Sequence, residues 1–397
     1  MNHRAALAAL GASTFVYVTA ETIPIGLLPE MARDLNVAEA SIGLLVTSYA
    51  VVAGLTSIPL TAVTMRLPRR ALIAGTVAAF VLSQLAAALA PTFLLVVVAR
   101  LLCALAHGVF WATIAPIAAR LVPPGQGGRA IALVFLGNSL AIVLGVPLGT
   151  ALGQWLGWRV VLAVLAVIGA GCVAALSISL PALAGDVPTP LGRRLRDSVL
   201  VLRNRSLFAI CATTAVLMIG LFAAYTYLAP LVRRDAGLEG TALSALLLGF
   251  GAAGLFGNWI IGRWVDRSPG PLLTTLIAVM VLALVTLAPV LGVAPTVVAV
   301  LAWGAAMTAT PIILQAAVLR VAPEAGDAAS AVYVVAFQIG IGGGSLLGER
   351  FVSAGRLGWL PLFAALLAVG AWVIVRTSRT AFPARLPAET REPVPTS

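Results

Sequence analysis

The chain is built from a series of long apolar runs, each close to the length that a helix needs to cross a bilayer. A helix rises 1.5 Å per residue, so about 20 apolar residues span the hydrocarbon core. The runs are continuous and do not alternate with polar residues, which favours helices over the strands of a membrane barrel. Dividing them at charges and turn residues predicts twelve spans, at 5–28, 41–64, 71–90, 93–118, 130–153, 159–180, 207–230, 242–262, 271–291, 296–319, 328–348 and 359–375.

Composition excludes a water-soluble fold. Hydrophobic residues make up 61% of the chain and charged residues 10%, whereas soluble domains carry about 25% charged residues. In lipid the backbone satisfies its own hydrogen bonds within helices. We therefore predict an all-α membrane protein. Cys103, Cys172 and Cys211 lie in apolar runs without metal-ligand spacing and are interpreted as buried small hydrophobic residues.

A segment near the start of the chain recurs 201 residues later. The matched pairs are Pro29 and Pro230, Arg33 and Arg234, Asp34 and Asp235, and Arg66 and Arg267. Repeats of this kind in a membrane protein indicate a transporter whose substrate site lies between two pseudo-symmetric halves. We predict a six-helix bundle at 1–180, a cytoplasmic linker with room for a short surface helix at 181–205, a second six-helix bundle at 206–375 and a disordered tail at 376–397.

The basic residues indicate the orientation of the chain in the membrane. The net charge is +11, and all 25 basic residues are arginine. Eighteen fall in the loops, linker and tail on one side and six on the other, with Arg100 left inside a span. Positive residues collect on the cytoplasmic side, so both termini are expected there. Because the arginines occupy short loops, orientation explains them better than nucleic-acid binding does.

Three ionisable side chains lie at membrane depth, where charge is costly and usually functional. Glu21 and Arg100 lie at similar depth if the first and fourth spans face one cavity, and His107 follows Arg100 by two turns on the same face. We interpret Glu21 as a proton carrier beside Arg100. A permanent Glu–Arg structural pair is the alternative, and His107 is either a proton relay or a hydrogen-bonding core residue.

The fifth predicted span carries small residues at a spacing of four. Gly145, Gly149 and Gly153 share one helix face and predict close approach of a neighbouring helix. Pro147 removes a backbone donor between them and favours a bend. The same residues suit either a moving gate or static packing.

Polar and aromatic residues within the spans are candidates for the substrate cavity. They are Tyr17, Trp111, Asn138, Tyr225, Tyr227, Gln315 and Gln338. The alternative for each is core packing or hydrogen bonding between helices.

Residues 5–375 resemble the major facilitator superfamily, in particular its twelve-span drug:proton antiporters of the bacterial sugar-efflux and chloramphenicol-resistance type. Four stretches carry the resemblance: Ala20-Glu21 with Gly26-Leu27-Leu28-Pro29; Arg100 with Ala106-His107-Gly108; Leu144-Gly145-Val146-Pro147-Leu148-Gly149; and Gly262-Arg263-Trp264-Val265-Asp266-Arg267. The third is similar to the helix-five motif of antiporters.

The resemblance implies two bundles around a central cavity, alternating access and export coupled to proton entry across a bacterial plasma membrane. It implies a coupling role for Arg100 and a gating role for Gly145, Pro147 and Gly149. Two loops are similar to the superfamily's cytoplasmic loop motif, through Arg66, Arg69 and Arg70 in the first and Gly262, Asp266 and Arg267 in the second. The first loop has Thr61 and Met65 where the family usually has Gly and Asp, so the resemblance does not carry the family's gating charge interaction over to it.

The leading hypothesis is a secondary active, monomeric exporter of small organic molecules, drugs or sugar-like compounds, driven by the proton gradient without a bound cofactor or metal. A proton-independent facilitator would leave Glu21 without a coupling role, and a nutrient symporter does not suit the helix-five motif. A membrane enzyme is the alternative from another class, but it would need a convergent catalytic set that the spans do not supply.

Overall fold

The computed structural model describes residues 3–185 and 190–385. The first half contains α1 (His3–Gly26), α2 (Leu28–Asp34), α3 (Glu39–Thr64), α4 (Arg69–Ala88), α5 (Phe93–Arg120), α6 (Gly127–Leu140), α7 (Val146–Leu156) and α8 (Trp158–Ser179), followed by the linker helix α9 (Leu191–Leu200). The second half contains α10 (Arg205–Tyr225), α11 (Leu228–Ala236), α12 (Gly240–Trp264), α13 (Pro269–Thr286), α14 (Val293–Val321), α15 (Gly326–Ser353) and α16 (Leu360–Thr377).

In residues 3–185 and 190–385, twelve long helical segments cross the fold in alternating directions. Within the described ranges, eleven are long and apolar enough to span a bilayer, and α3 supplies a shorter apolar stretch, Ser48–Thr64. Alternation places loops 65–68, 121–126 and 265–268 with α9 at one end, called the linker end here. Loops 89–92 and 287–292, with α2 and α11, lie at the opposite end, called the far end. The predicted all-helical membrane fold is confirmed.

The repeat in sequence becomes a repeat in structure at the far end. The predicted first and seventh spans run on through 28 and 230, but the helices end at Gly26 and Tyr225. Short helices follow at equivalent places, α2 over Leu28–Asp34 and α11 over Leu228–Ala236. Each new helix starts just before a proline, which fits the first turn of a helix because no donor is needed there.

Pro147 interrupts the helix between α6 and α7. Residues Ala141–Gly145 form a π-helical turn, and Pro147 stands in the first turn of α7. A proline inside a helix removes one backbone donor and crowds the preceding turn, and a widened turn relieves both. The structure thus places a widened turn at Ala141–Gly145, two residues before Pro147.

The two bundles have separate cores that meet at the linker end. Asn258 of α12 donates to the Ser139 hydroxyl of α6 at 2.5 Å. A Cβ built at Gly262 would lie 2.7 Å from the Ala132 Cβ, so α6 and α12 pack closely here. Contacts between bundles continue to mid-membrane, where Gly251 meets Val143. The linker end is thus closed in this structure.

The tail differs from the prediction. Residues 386–397 lie outside the described part of the chain, but 376–385 are ordered against the second bundle. Ala381 and Phe382 are buried, Arg320 donates to the Ala381 carbonyl at 2.7 Å, and the Gly270 N–H donates to the Pro383 carbonyl at 3.1 Å. The prediction of disorder followed from the polar composition of residues 376–397 as a whole. Ala381 and Phe382 are apolar residues within that segment and pack near the start of α13 and the end of α14.

Candidate functional site

The first feature of the site is a backbone carbonyl inside the membrane that lacks its helical hydrogen-bond donor because of Pro24. Proline has no N–H, so the Ala20 carbonyl four residues earlier lacks its helical donor. The Arg100 guanidinium from α5 fills this gap, with Nη1 3.1 Å from the Ala20 oxygen and Nη2 3.3 Å from the Glu21 carbonyl oxygen. Arg100 is buried, so these bonds fix α5 to α1 at the proline.

Glu21 lies at the same level as Arg100, as predicted, and among the described residues the two side chains do not form the ion pair that was the alternative. Arg100 binds the backbone of Glu21, because the carbonyls left near Pro24 take its Nη donors. The Glu21 carboxylate turns to His107, whose Nδ1 is 4.0 Å from Oε2. Its side chain keeps 24% of its surface exposed, against 4% for His107. A reachable carboxylate beside an imidazole therefore replaces the buried ion pair.

Tyr49 on α3 is the site residue that sequence analysis missed. Its hydroxyl is 2.9 Å from His107 Nδ1 and 3.7 Å from Cys103 Sγ. The Arg100 guanidinium lies 5.1 Å from its ring centroid, within range of a cation–π interaction. Tyr49 is buried, and it joins the third helix to the site. The signal in the sequence that could have indicated this residue is a single tyrosine within a largely apolar stretch of α3.

The predicted cavity residues of the first bundle lie in different places. Trp111 lies between the two bundles, whereas Tyr17 lies inside the first bundle. Trp111 packs against the cores of both halves and meets the Phe135 ring edge-on at 5.7 Å. Tyr17 is buried, stacks on Phe110 at 4.1 Å and donates to the Thr76 carbonyl at 2.7 Å, so it is a core residue of the first bundle. Asn138 is half-buried on α6.

The candidates of the second bundle also separate into two groups. Gln338 is half-buried and faces α3, where a Cβ built at Gly54 would lie 3.5 Å from its Cβ. Tyr225 packs at 5.4 Å on Phe250 and belongs to an aromatic cluster. Gln315 is buried and donates to the Ser330 hydroxyl at 2.8 Å between α14 and α15, which makes it a packing residue.

Tyr227 does not lie at cavity depth. It precedes α11 at the far end, where its ring approaches Gly348. The predicted span continued past it because the sequence stays apolar, whereas the helix ends at Tyr225.

The glycine ladder packs against α1, as its spacing predicts. Side chains at 145, 149 and 153 would overlap Thr19, Ile23 and Leu27, which are also spaced by four. One turn before the π-helical segment, a side chain at Gly137 would overlap the Gly11 carbonyl oxygen. This contact holds the widened turn before Pro147 against the helix that carries Glu21.

The second loop motif reaches across to the first bundle. The Asp266 carboxylate accepts from the backbone N–H of Gly128 at 2.7 Å and of Arg129 at 2.9 Å, so it caps the start of α6. Burial raises the pKa of Asp266 above its ordinary value, and these N–H donors and Arg320 oppose that shift. Gly262 permits the close approach of Ala132 one turn away.

The first loop motif also joins the bundles, although its sequence departs from the family pattern. Arg69 forms an ion pair with Asp327 at the start of α15, with an N–O distance of 2.6 Å and side-chain exposures of 1% and 3%. The acid comes from the facing helix α15 and not from the loop itself. Arg66, Arg70 and Arg267 are exposed.

A profile of the Major Facilitator Superfamily matches residues 10–345. The chain belongs to this superfamily. Two sequences named chloramphenicol efflux pump, from Mycobacterium tuberculosis strains CDC 1551 / Oshkosh and ATCC 25618 / H37Rv, are each 38% identical over 354 residues. The match covers 86% of this chain and 84% of each pump. The protein is therefore a multi-pass membrane transporter of small molecules, and not an enzyme.

Solved superfamily structures share the fold. The transporter FucP, crystallised in the outward conformation, gives a TM-score of 0.77 at 17% identity, covering 94% of this chain and 98% of its own. The human organic anion transporter MFSD10 (TETRAN) gives 0.76 at 13% identity, covering 94% of this chain and 100% of its own. These likenesses show the architecture alone.

Proposed function

We propose that this transporter exports small organic molecules, phenicol drugs among them, in exchange for protons that load and leave through Glu21. The substrate class is supported by the relatives named chloramphenicol efflux pumps. The half-buried Trp111 between the bundles offers an aromatic surface on which a substituted benzene ring can stack.

One observation carries the proton assignment: among the described residues, no guanidinium forms an ion pair with the Glu21 carboxylate at membrane depth. Arg100 directs its Nη donors to the carbonyls near Pro24, and the carboxylate stays 24% exposed. A carboxylate held in a bidentate ion pair would be locked in its charged form. Glu21 instead keeps access to solvent and can exchange protons as the cavity changes sides.

The contacts between the bundles support alternating access. Closure at the linker end rests on the pair of Arg69 and Asp327 and on the cap that Asp266 places on α6. A transporter of this kind rocks its halves around a central site. In the proposed cycle, the linker end of the structure is closed, protons reach Glu21 from the far end, and the drug enters after the linker-end contacts break.

The test is drug export in a bacterial host that lacks its own exporters. Cells expressing the chain should tolerate more chloramphenicol than cells carrying an empty vector, and should retain less labelled drug. Adding a protonophore should abolish the difference in retention, because the driving force is lost. Sugars and nucleosides tested alongside identify the substrate range. Equal retention of every compound in expressing and control cells would contradict the proposal.

A further inference from the structure

We propose that Tyr49 is the positioning residue that reports the protonation of Glu21 to α3, one of the helices of the first bundle that contact the second. This inference rests on the proposed proton antiport. It assigns a task to a residue that, in the described part of the chain, forms no hydrogen bond with the Glu21 carboxylate and acts through His107.

Two oxygen atoms, one from Tyr49 and one from Glu21, face the same nitrogen of His107. Tyr49 Oη is 2.9 Å from His107 Nδ1, and Glu21 Oε2 is 4.0 Å from that atom. A neutral imidazole has one acceptor nitrogen, and its lone pair takes one strong donor. With the imidazole proton on Nε2, the Tyr49 hydroxyl donates to Nδ1 in the observed arrangement. A protonated Glu21 that moves closer must displace it.

The exchange needs no proton transfer to the histidine. When Glu21 binds a proton, its own O–H becomes a donor to Nδ1, and the Tyr49 hydroxyl is released. When Glu21 gives the proton up, the carboxylate can no longer donate and the Tyr49 bond re-forms. The imidazole stays neutral throughout, and the transported proton stays on the carboxyl group until solvent takes it.

The released hydroxyl loosens a specific part of α3. Two turns beyond Tyr49, Ser57 packs against α5 so closely that a Cβ at Gly108 would lie 2.8 Å from the Ser57 Cα. That contact between backbones is independent of Glu21. The hydrogen bond to His107 is a second tie, nearer the far end, so losing it frees the far-end part of α3 while the linker-end part stays fixed to α5.

The freed helix is one of those that meet the second bundle. Between Tyr49 and Ser57, Gly54 faces Gln338 of α15, and α15 also carries Asp327, the partner of Arg69. A shift of α3 therefore reaches the contact between bundles at mid-membrane. The ionisable groups around His107 are Glu21 and Tyr17 from α1, Tyr49 from α3, and Arg100 and Cys103 on its own helix.

The test separates coupling from transport in liposomes containing the purified full chain and labelled chloramphenicol. One assay measures uphill accumulation under an imposed pH gradient, and the other measures downhill exchange without a gradient. Tyr49→Phe keeps the ring and removes the hydroxyl. We expect its uphill accumulation to fall about tenfold while downhill exchange stays at the wild-type rate, because the coupling free energy is lost and the pathway is intact.

Tyr333→Phe is the matched control, since it removes a buried tyrosine hydroxyl in the second bundle that has no hydrogen-bond partner among the described residues. It should behave as wild type in both assays. A further comparison uses His107→Asn, which replaces the imidazole by an amide. If Tyr49 acts through His107, the variant that carries both Tyr49→Phe and His107→Asn should accumulate as much drug as the more impaired of the two single variants.

The outcomes distinguish this inference from the function beneath it. If wild-type protein shows no gradient-driven accumulation, the proposed antiport fails and the role of Tyr49 fails with it. If the wild type is coupled but Tyr49→Phe accumulates drug equally well, only the Tyr49 assignment is wrong. Equal losses in uphill and downhill assays, with a normal Tyr333→Phe, would show that the hydroxyl supports folding and not coupling.

Discussion

Arg69 and Asp327 form a buried ion pair between the two bundles, with 2.6 Å separating Nη1 and Oδ2. Arg69 is the first residue of α4, and Asp327 lies in the first turn of α15. An acid at a helix N-terminus is also stabilised by the helix dipole. The second half makes its contact between bundles without an ion pair. Its Asp266 lies on the loop and accepts hydrogen bonds from the backbone N–H groups at the start of α6.

Replacing Arg69 by glutamine should weaken the closed linker end by about 3–5 kcal/mol, the usual cost of removing one partner from a buried ion pair. The melting temperature of the detergent-solubilised protein measures the effect. Arg70→Gln, an exposed neighbour, is the control and should leave the melting temperature unchanged. Combining Arg69→Gln with Asp327→Asn should recover part of the loss. If Arg69→Gln melted at the same temperature as Arg70→Gln, closure would not depend on this pair.

The Asp266 cap should give the closed linker end a measurable pH dependence. Because burial raises the pKa of Asp266 in the folded state, that state binds the proton more tightly than an exposed carboxyl, whose pKa is about 3.9. The contribution of this group to stability is therefore full below the exposed pKa and is lost as pH rises through the raised value.

The measurement is the difference in melting temperature between wild type and Asp266→Asn across the acidic range. The stability of the wild type relative to the variant should decline as pH rises. Asp197→Asn makes the same chemical change at an exposed position on α9 and serves as the control. A wild-type advantage that grew with pH would mean that the N–H donors of α6 outweigh burial.

Gly149→Leu should block the transport cycle. A side chain at 149 would overlap Ile23, which lies two residues after Glu21 on α1, so leucine forces α7 away from that helix. Overpacking of this kind costs about 1–3 kcal/mol, and here it separates helices that must move together. Gly171→Leu on α8, where no atom lies within 4 Å of a built Cβ, is the control. Drug efflux rates compare the two, and wild-type turnover in Gly149→Leu would contradict close packing as a requirement.

The membrane fold was predictable because lipid imposes one strong rule. Apolar runs must be helices of bilayer length, so the observed helix boundaries fall near the predicted ones, for example 39–64 against a predicted 41–64. The breaks after Gly26 and Tyr225 were not predictable from hydropathy, since the sequence stays apolar through α2 and α11. A proline soon after each break was the available signal.

The site was only partly predictable because depth can be counted along a helix, whereas the direction of a side chain cannot. Counting placed Glu21 and Arg100 at one level, and Arg100 indeed reaches the Glu21 backbone. The partner of Arg100 depends on Pro24, because the missing N–H of the proline leaves the Ala20 carbonyl free to accept from the guanidinium. Tyr49 was missed because its role depends on how α3 packs against α5, which no local pattern in α3 encodes.

Proton coupling through Glu21 is tested most directly by Glu21→Gln in everted membrane vesicles with an imposed pH gradient and labelled chloramphenicol. Glu239→Gln makes the same chemical change at an exposed position of the far end and serves as the control. The account predicts that Glu21→Gln folds normally but loses gradient-dependent accumulation, while Glu239→Gln retains it. Undiminished gradient-dependent accumulation in Glu21→Gln would remove the carboxyl group from the mechanism.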